Sequence, residues 1–331
     1  MSTITVNPVG KTFDTNEGET ILDAALRSGI MLKHGCRDGR CGDCRTVVEG
    51  GSHADVAYPE GLTLEDSDVS GETVLCCQAV PQKDLVLDAP EVTEFEGISI
   101  QKLVSRVKLK DQISSDVVVL KLMLAPGSEF PYLPGQYVDI TLPNGVTRSY
   151  SMATKALEEN AIELHIRLLP GGQATPFIFD ELAARKMVTV EGPFGSFYLR
   201  ETEAPMVMLA SGTGFAPIKA LMEQLIEKSN TRPVRLYWGG RSAEDLYMSE
   251  LCEKWAAELD WFEYVPVVSD STDGWTGRTG FVHSAVVEDF TDLSGHEVYA
   301  CGAPIVIESA RRDFSGTCGL IPSNFYADAF V

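Results

Sequence analysis

The chain lacks any apolar run approaching the roughly 20 residues that cross a bilayer. It also lacks a surplus of positive charge. Its 27 Lys and Arg face 48 Asp and Glu, a net charge of -21, which argues against nucleic acid and anionic membrane surfaces as partners. The opening "MSTITVNPVGKTF" has neither a basic segment nor an apolar one, so no secretory signal is expected. The five histidines are isolated, with none at metal-ligand spacing. Internal repeats, heptads and low-complexity tracts are absent. What is present is a 44% hydrophobic content, enough for a sizeable core, over 331 residues, which implies two or three domains. Eight cysteines in a chain with no export pattern imply a reducing, cytoplasmic setting and a use in metal binding or catalysis rather than in disulfides.

Three of those cysteines crowd one stretch, "HGCRDGRCGDCRTVV", as C-x4-C-x2-C at Cys36, Cys41 and Cys44. Two more are adjacent in "ETVLCCQAV", Cys76 and Cys77. Zinc sites favour two short Cys pairs, and only one such pair exists here. The observed spacing with a distant fourth Cys is that of a 2Fe–2S cluster of plant type. Gly35, Gly39 and Gly42 let the backbone approach a cluster closely. On spacing alone the fourth ligand is Cys77 or Cys76.

Residues 1–90 thus resemble a plant-type ferredoxin domain, which implies a β-grasp fold. Strands are expected near Thr3–Asn7 and Lys11–Asp14. A helix over "TILDAALRSG" follows, with Thr20 as N-cap, Gly29 as C-cap and Ile21, Leu22, Ala25 and Leu26 facing the core. The resemblance places the fourth ligand at Cys77, in the frame "CQAVPQKDLVL", with Cys76 facing the core. Lys33, Arg37, Arg40 and Arg45 around the loop form a basic rim on an acidic body, suited to an acidic docking partner.

An acidic, Pro- and Gly-punctuated linker at 91–99 leads to alternating β-branched runs over 100–201, with "PG", "PNG" and "PGG" turns, which indicate an antiparallel barrel. Residues 202–331 then alternate strand and helix, which indicates a doubly wound parallel sheet with ligands at its C-terminal edge. "RSYSMA" and "LPGGQATPFIFDEL" on the barrel resemble the flavin domain of the ferredoxin–NADP reductase superfamily. Tyr150 and Ser151 then contact the flavin ring. Arg148 and the turn of Gly172, Gln173 and Thr175 hold its phosphates, since a glycine turn opening a helix suits an anion. His165 and Arg167 on "IELHIRLL" join the cofactor contacts.

The string G-T-G-F-A-P fails the strict G-x-G-x-x-G dinucleotide fingerprint and matches the superfamily's G-x-G-x-x-P. By resemblance, Gly212, Thr213, Gly214 and Pro217 bind the nucleotide, and Cys301 and Gly302 of "YACGAP" stand beside the nicotinamide. Phe330 of the tail "FYADAFV" covers the flavin ring. Behind strand "VRLYWGG", Arg241 and Ser242 suit a 2′-phosphate while Glu244 and Asp245 repel one, so NADH is expected over NADPH.

The whole chain therefore resembles reductase components of ring-hydroxylating dioxygenases and the CDP-6-deoxy-glucoseen reductases of dideoxysugar synthesis. The resemblance implies a monomeric NADH-dependent iron–sulfur flavoprotein. It would pass electrons through FAD and a 2Fe–2S cluster to a partner oxygenase, its ferredoxin, or a sugar dehydrase. The alternatives are a stand-alone flavin or ferric reductase, a haemoglobin- or quinone-directed reductase, and a docking module with structural zinc.

Overall fold

The computed structural model describes residues 1–60, 71–90, 93–94, 97–157, 159–270 and 274–330, with backbone alone at 93–94. Contacts divide it into two compact units, Met1–Ile100 with Pro193–Ser196, and Gln101–Gly192 with Phe197–Phe330. Residues 91, 92, 95 and 96 of the expected linker lie outside the described residues.

The first unit is built on a five-stranded sheet in the order Lys11–Asp14, Thr3–Asn7, Leu85–Asp88, Arg45–Val48, Thr73–Leu75. Its first two strands lie where the sequence pattern puts them. Ile4 and Val6, alternating with polar residues, face the core and pair in parallel register with Leu85 and Leu87. Helix α1, Ile21–Arg27, starts as expected, with the Thr20 hydroxyl accepting from the Asp23 amide at 3.1 Å. It ends at Arg27, so the C-cap falls one residue before the expected Gly29. Ser28 is the C-cap, and Gly29, at φ +74°, is the left-handed residue that follows. The start of α1 is tied to the distal cysteines, because Leu22 N–H donates to the Cys76 carbonyl at 2.9 Å.

The second unit opens with a six-stranded antiparallel sheet in the order Thr147–Ser151, Tyr137–Thr141, Met187–Phe194, Gln101–Gln112, Val117–Met123, Ala161–Arg167. A bridge between Met152 and Leu164 brings its end strands together as a nearly closed barrel. Inward residues such as Leu120, Leu122, Ile162 and Leu164 are fully buried. Each stabilises the fold by roughly 1.5–3 kcal/mol relative to exposure. Helix α2, Thr175–Asp180, adds Ile178 to that core.

A six-stranded parallel sheet follows, in the order Arg278–Thr279, Phe262–Val268, Val234–Gly240, Met206–Ser211, Glu297–Gly302, Phe325–Ala329. Strand Met206–Ser211 is apolar on both faces because both are covered. Helices α3, Phe215–Glu227, and α4, Ser249–Glu258, pack with Met206, Met208 and Ala210. Helices α5, Val282–Asp289, and α6, Pro304–Cys318, pack with Val207 and Leu209. From Met206–Ser211 the chain winds first toward one edge and then toward the other. The strand order therefore reverses between Ser211 and Gly302, where open α/β sheets hold ligands. Cys318, which the glycine-rich sequence around it suggests is in a loop, is instead the buried last residue of α6. Its thiol donates to the Phe290 carbonyl at 3.1 Å.

Candidate functional site

In the first unit the four expected ligand cysteines stand as two pairs. Cys36 and Cys41 exchange backbone N–H to sulfur contacts at 3.3 Å each, and the Cys44 and Cys77 sulfurs are 3.2 Å apart. Among the described residues no three of His, Cys, Asp and Glu already converge on a metal-ion position. A two-iron cluster needs two thiolates for each iron, and paired sulfurs on one loop fit that demand. The loop backbone fits as well. Gly39 and Gly42 take φ of +87° and +72°. A Cβ on Gly35 would stand 3.0 Å from the Asp43 carboxylate and 3.3 Å from the Cys41 sulfur.

Cys77 meets Cys44, whereas Cys76 is wholly buried, and burial pushes its thiol up to about 12. Gln78 braces the arrangement, its amide nitrogen donating to the Arg37 and Cys77 carbonyls at 2.9 Å each.

The expected basic rim is largely engaged within the unit. Arg37, itself at φ +64°, lies over the Phe194 ring at 3.8 Å and 4.0 Å from Asp23. The Arg40 guanidinium is paired with Asp38. Residues 193–196, which the sequence pattern assigns to the barrel, contribute to this unit's contacts because His34 holds them. His34 Nδ1 donates to the Leu32 carbonyl at 2.8 Å, and Nε2 accepts from Gly195 N–H at 2.9 Å. The Ser196 amide and hydroxyl both donate to the His34 carbonyl. Burial pushes His34 down to about 4 and leaves it neutral.

In the second unit the flavin and nucleotide candidates meet through a residue that sequence reasoning missed, Asp328. The Ser151 hydroxyl donates to Asp328 Oδ2 at 3.0 Å, and the Cys301 sulfur lies 3.9 Å from the same oxygen. Cys301 is fully buried, and burial together with the Asp328 charge holds its thiol well above the ordinary range. Asp328 stands directly opposite Cys301 in the parallel pairing of their strands. The one signal in the sequence was an acid in an otherwise apolar tail, "FYADAFV". Among the described residues the buried Tyr150 hydroxyl has no protein partner, the kind of atom a bound group satisfies, and burial raises it to about 12. Arg148 is exposed, donating to its neighbour's carbonyl at 2.7 Å. In the Gly172–Thr175 turn, Gln173 is exposed, and the Thr175 hydroxyl accepts from Leu169 N–H at 2.8 Å and so holds the loop closed.

A groove of about 530 Å³ lies at the switch point, lined by Arg167, Gly212, Thr213, Arg241, Phe281 and Phe330, among others. A second cavity of similar size, about 520 Å³, opens at the opposite, N-terminal edge of the sheet, beside Met206 and Val234, away from every candidate residue. Glycines allow the groove's walls to meet. A Cβ on Gly214 would collide with the Cys301 carbonyl, and one on Gly302, at φ +138°, would stand 2.6 Å from Ser211. The Trp238 indole donates to the Gly212 carbonyl at 3.0 Å and so fixes the turn. Pro217 is buried on α3. Phe330 is exposed at the groove, its N–H donating to the Gly302 carbonyl at 2.9 Å.

Two charged positions refine the picture. Arg167 at the rim pairs with Asp116 at 3.2 Å and with Asp245 at 2.9 Å. The other Asp245 oxygen accepts from the Arg241 and Ser242 amides at 2.7 and 3.0 Å, so the turn that would serve a 2′-phosphate already holds a carboxylate. His165 does not line the groove. Its ring nitrogens are engaged by Tyr247 at 3.0 Å and Glu163 at 3.2 Å.

Three known families match in chain order: a 2Fe-2S iron-sulfur cluster binding domain over residues 4–82, an oxidoreductase FAD-binding domain over 105–198 and an oxidoreductase NAD-binding domain over 208–312. The chain is 39% identical over 328 residues to the CDP-6-deoxy-L-threo-D-glycero-4-hexulose-3-dehydrase reductase of Yersinia pestis, across 99% of this chain and 98% of that protein. The chain belongs to the iron–sulfur flavoprotein reductases. The phenol hydroxylase P5 protein of Acinetobacter pittii is 35% identical over 93% of this chain and 88% of its own length. The solved Amycolatopsis cytochrome P450 reductase GcoB superposes with a TM-score of 0.83 at 31% identity, covering 100% of this chain and 99% of that one.

The reductase is thus an NAD(P)H-dependent oxidoreductase with domains for a 2Fe–2S cluster, FAD and NAD. Among its described residues no helix is long and apolar enough to cross a membrane.

Proposed function

We propose that the reductase takes electrons from NADH and delivers them singly to a separate protein, a sugar dehydrase or an oxygenase. The observation that carries this reading is the Ser151–Asp328–Cys301 contact. It joins a residue of the flavin strand to the nucleotide strand end at the sheet's switch point. When bound, FAD supplies the exchange between two-electron and one-electron chemistry, and the chain supplies position and electrostatics.

In this reading Tyr150 and Ser151 hold the flavin ring, and Phe330 covers it. Arg148 and the turn of Gly172, Gln173 and Thr175 hold its phosphates. Thr213, Pro217 and Arg167 border the nucleotide, while Gly212, Gly214 and Gly302 let it lie close to backbone. Cys301 stands at the nicotinamide, its buried thiol kept protonated. Cys36, Cys41, Cys44 and Cys77 hold the cluster. The Asp245 carboxylate in the ribose turn supports NADH over NADPH. The protein acts as a monomer in the cytoplasm, a setting its eight disulfide-free cysteines support. The dehydrase and oxygenase partners are inferred from relatives named as a hexulose-dehydrase reductase and a phenol hydroxylase protein, to which this chain is similar over 99% and 93% of its length.

Anaerobic titration of the purified protein with NADH, followed by visible absorption and electron paramagnetic resonance, tests the proposal. Flavin bleaching followed by a reduced-cluster signal is expected. A colourless, zinc-containing protein, or a cluster that stays oxidised while the flavin bleaches, overturns it.

A further inference from the structure

The most heavily charged interior of the second unit lies one turn beyond the nucleotide loop. Lys219, on α3, is buried. Its ammonium donates to the Ala153 carbonyl at 2.9 Å, to Glu163 Oε1 at 3.1 Å and to Glu223 Oε1 at 2.6 Å. Glu163 and Glu223 are themselves tied to the barrel. Lys121 pairs with Glu163 at 2.8 Å, the Ala153 amide donates to the Glu163 carbonyl at 2.9 Å, and the Lys155 amide donates to Glu223 at 3.1 Å. Burial alone would raise the Glu163 carboxyl, but the His165 hydrogen bond and the Lys219 charge outweigh it and hold the group well below the carboxylate range.

These bonds grip residues 153–155, the exit of the strand that carries Tyr150 and Ser151. The same helix begins at Gly212–Gly214, the turn packed against Cys301. Four residues of helix, about 6 Å of rise, separate Phe215 from Lys219. One rigid segment therefore carries the nucleotide turn at its start and a clasp on the flavin strand one turn later.

We infer that Lys219 is a positioning residue for reduction of the flavin, setting the gap between the flavin strand and the nicotinamide position. This rests on the proposed function above. A hydride, one proton with two electrons, passes from C4 of NADH to the flavin and leaves NAD⁺. Its rate depends steeply on that gap, since a misplacement of about 1 Å costs on the order of a hundredfold. A cation held by three acceptors has one position, and a neutral side chain there has none.

The test is Lys219→Met beside Lys219→Arg in the flavin-loaded, full-length protein. Flavin content, NADH affinity, the absorbance of the nicotinamide–flavin charge-transfer band, and the single-turnover rate of flavin bleaching are measured. For Lys219→Met we expect flavin content and NADH affinity within about twofold of wild type, a weakened band and bleaching at least about tenfold slower. Lys219→Arg, which keeps the charge, should recover most of both. An unaltered band with bleaching within twofold of wild type overturns the inference. So does a loss of flavin content and NADH affinity in proportion to the rate, which marks Lys219 as a stabilising residue only. If Lys219→Met does not fold, Glu223→Gln decides: a weakened band with slower bleaching supports the clasp, and unchanged values overturn it. Wild-type protein that NADH does not bleach overturns the proposed function and this inference together, whereas normal wild-type bleaching with an unaffected clasp variant overturns only the inference.

Discussion

In the proposed reading the cysteine loop and the nucleotide groove solve the same problem, holding a redox group, by opposite means. In the first unit three sulfurs come from nine consecutive residues, and the fourth arrives through strand pairing beside them, with Cys76 N–H on the Cys44 carbonyl at 3.1 Å. In the second unit the central contact joins positions 151, 301 and 328, each at the end of a different strand. A local site survives changes elsewhere and fails when one of its own ligands is lost. A site assembled by a sheet depends on residues that touch no cofactor.

The sharpest way to break that comparison is Cys41→Ser. Cluster content and delivery to one-electron protein acceptors should fall by on the order of a hundredfold or more, because a cluster with three thiolates is not held in its normal form. Flavin content and NADH-driven dye reduction should stay within about twofold, as expected of independent sites. Iron analysis and steady-state assays check this, and flavin loss in the variant contradicts the separation of the sites. In the same series Cys77→Ser should cost the cluster while Cys76→Ser costs only stability. Equal iron in the two variants reverses the ligand assignment.

The next effect falls on the assembled site. Asp328→Asn keeps the shape and a hydrogen bond but removes the charge that Ser151 and Cys301 share. Flavin reduction by NADH should slow by roughly 10–100-fold, a charge-assisted contact being worth about 1.5–3 kcal/mol. Single-turnover bleaching measures it, and a rate within twofold of wild type removes Asp328 from the mechanism.

A smaller effect is expected at the nucleotide's ribose end. NADH should exceed NADPH in kcat/KM by at least about tenfold. Asp245→Ser, which frees the Arg241 and Ser242 amides, should narrow the ratio severalfold. A wild-type preference for NADPH contradicts the reading of that turn.

The smallest effect is in pH dependence. Burial lowers the His165 pKa beneath 6.5, against the opposing pull of Glu163. Below pH 6.5 the unfolded chain therefore gains a proton that the folded chain does not, and stability falls as pH drops. The depressed Glu163 carboxyl contributes its own loss only at far lower pH. Between pH 7.5 and 5.5 the Tm of His165→Gln should fall less than that of wild type, by about 2–4 °C. Identical slopes for the two proteins exclude His165 as the source.

Sequence alone was sufficient wherever period or spacing carried the signal. The C-x4-C-x2-C loop, the first two strands and the Thr20-capped helix depend on neighbours within a few residues, and chain stereochemistry places such groups without help. The three-domain order was legible for the same reason, since strand alternation and strand–helix alternation are local patterns. Tertiary structure decided what depends on distant chain segments meeting. Cys77 rather than Cys76 faces Cys44, because adjacent side chains diverge and only the packed core settles which points inward. His165 found Tyr247, and Arg37 of the basic rim found Phe194 and Asp23. Asp328 acquired its place only when a parallel strand set it opposite Cys301, since register within a sheet is fixed by long-range pairing that no single segment encodes.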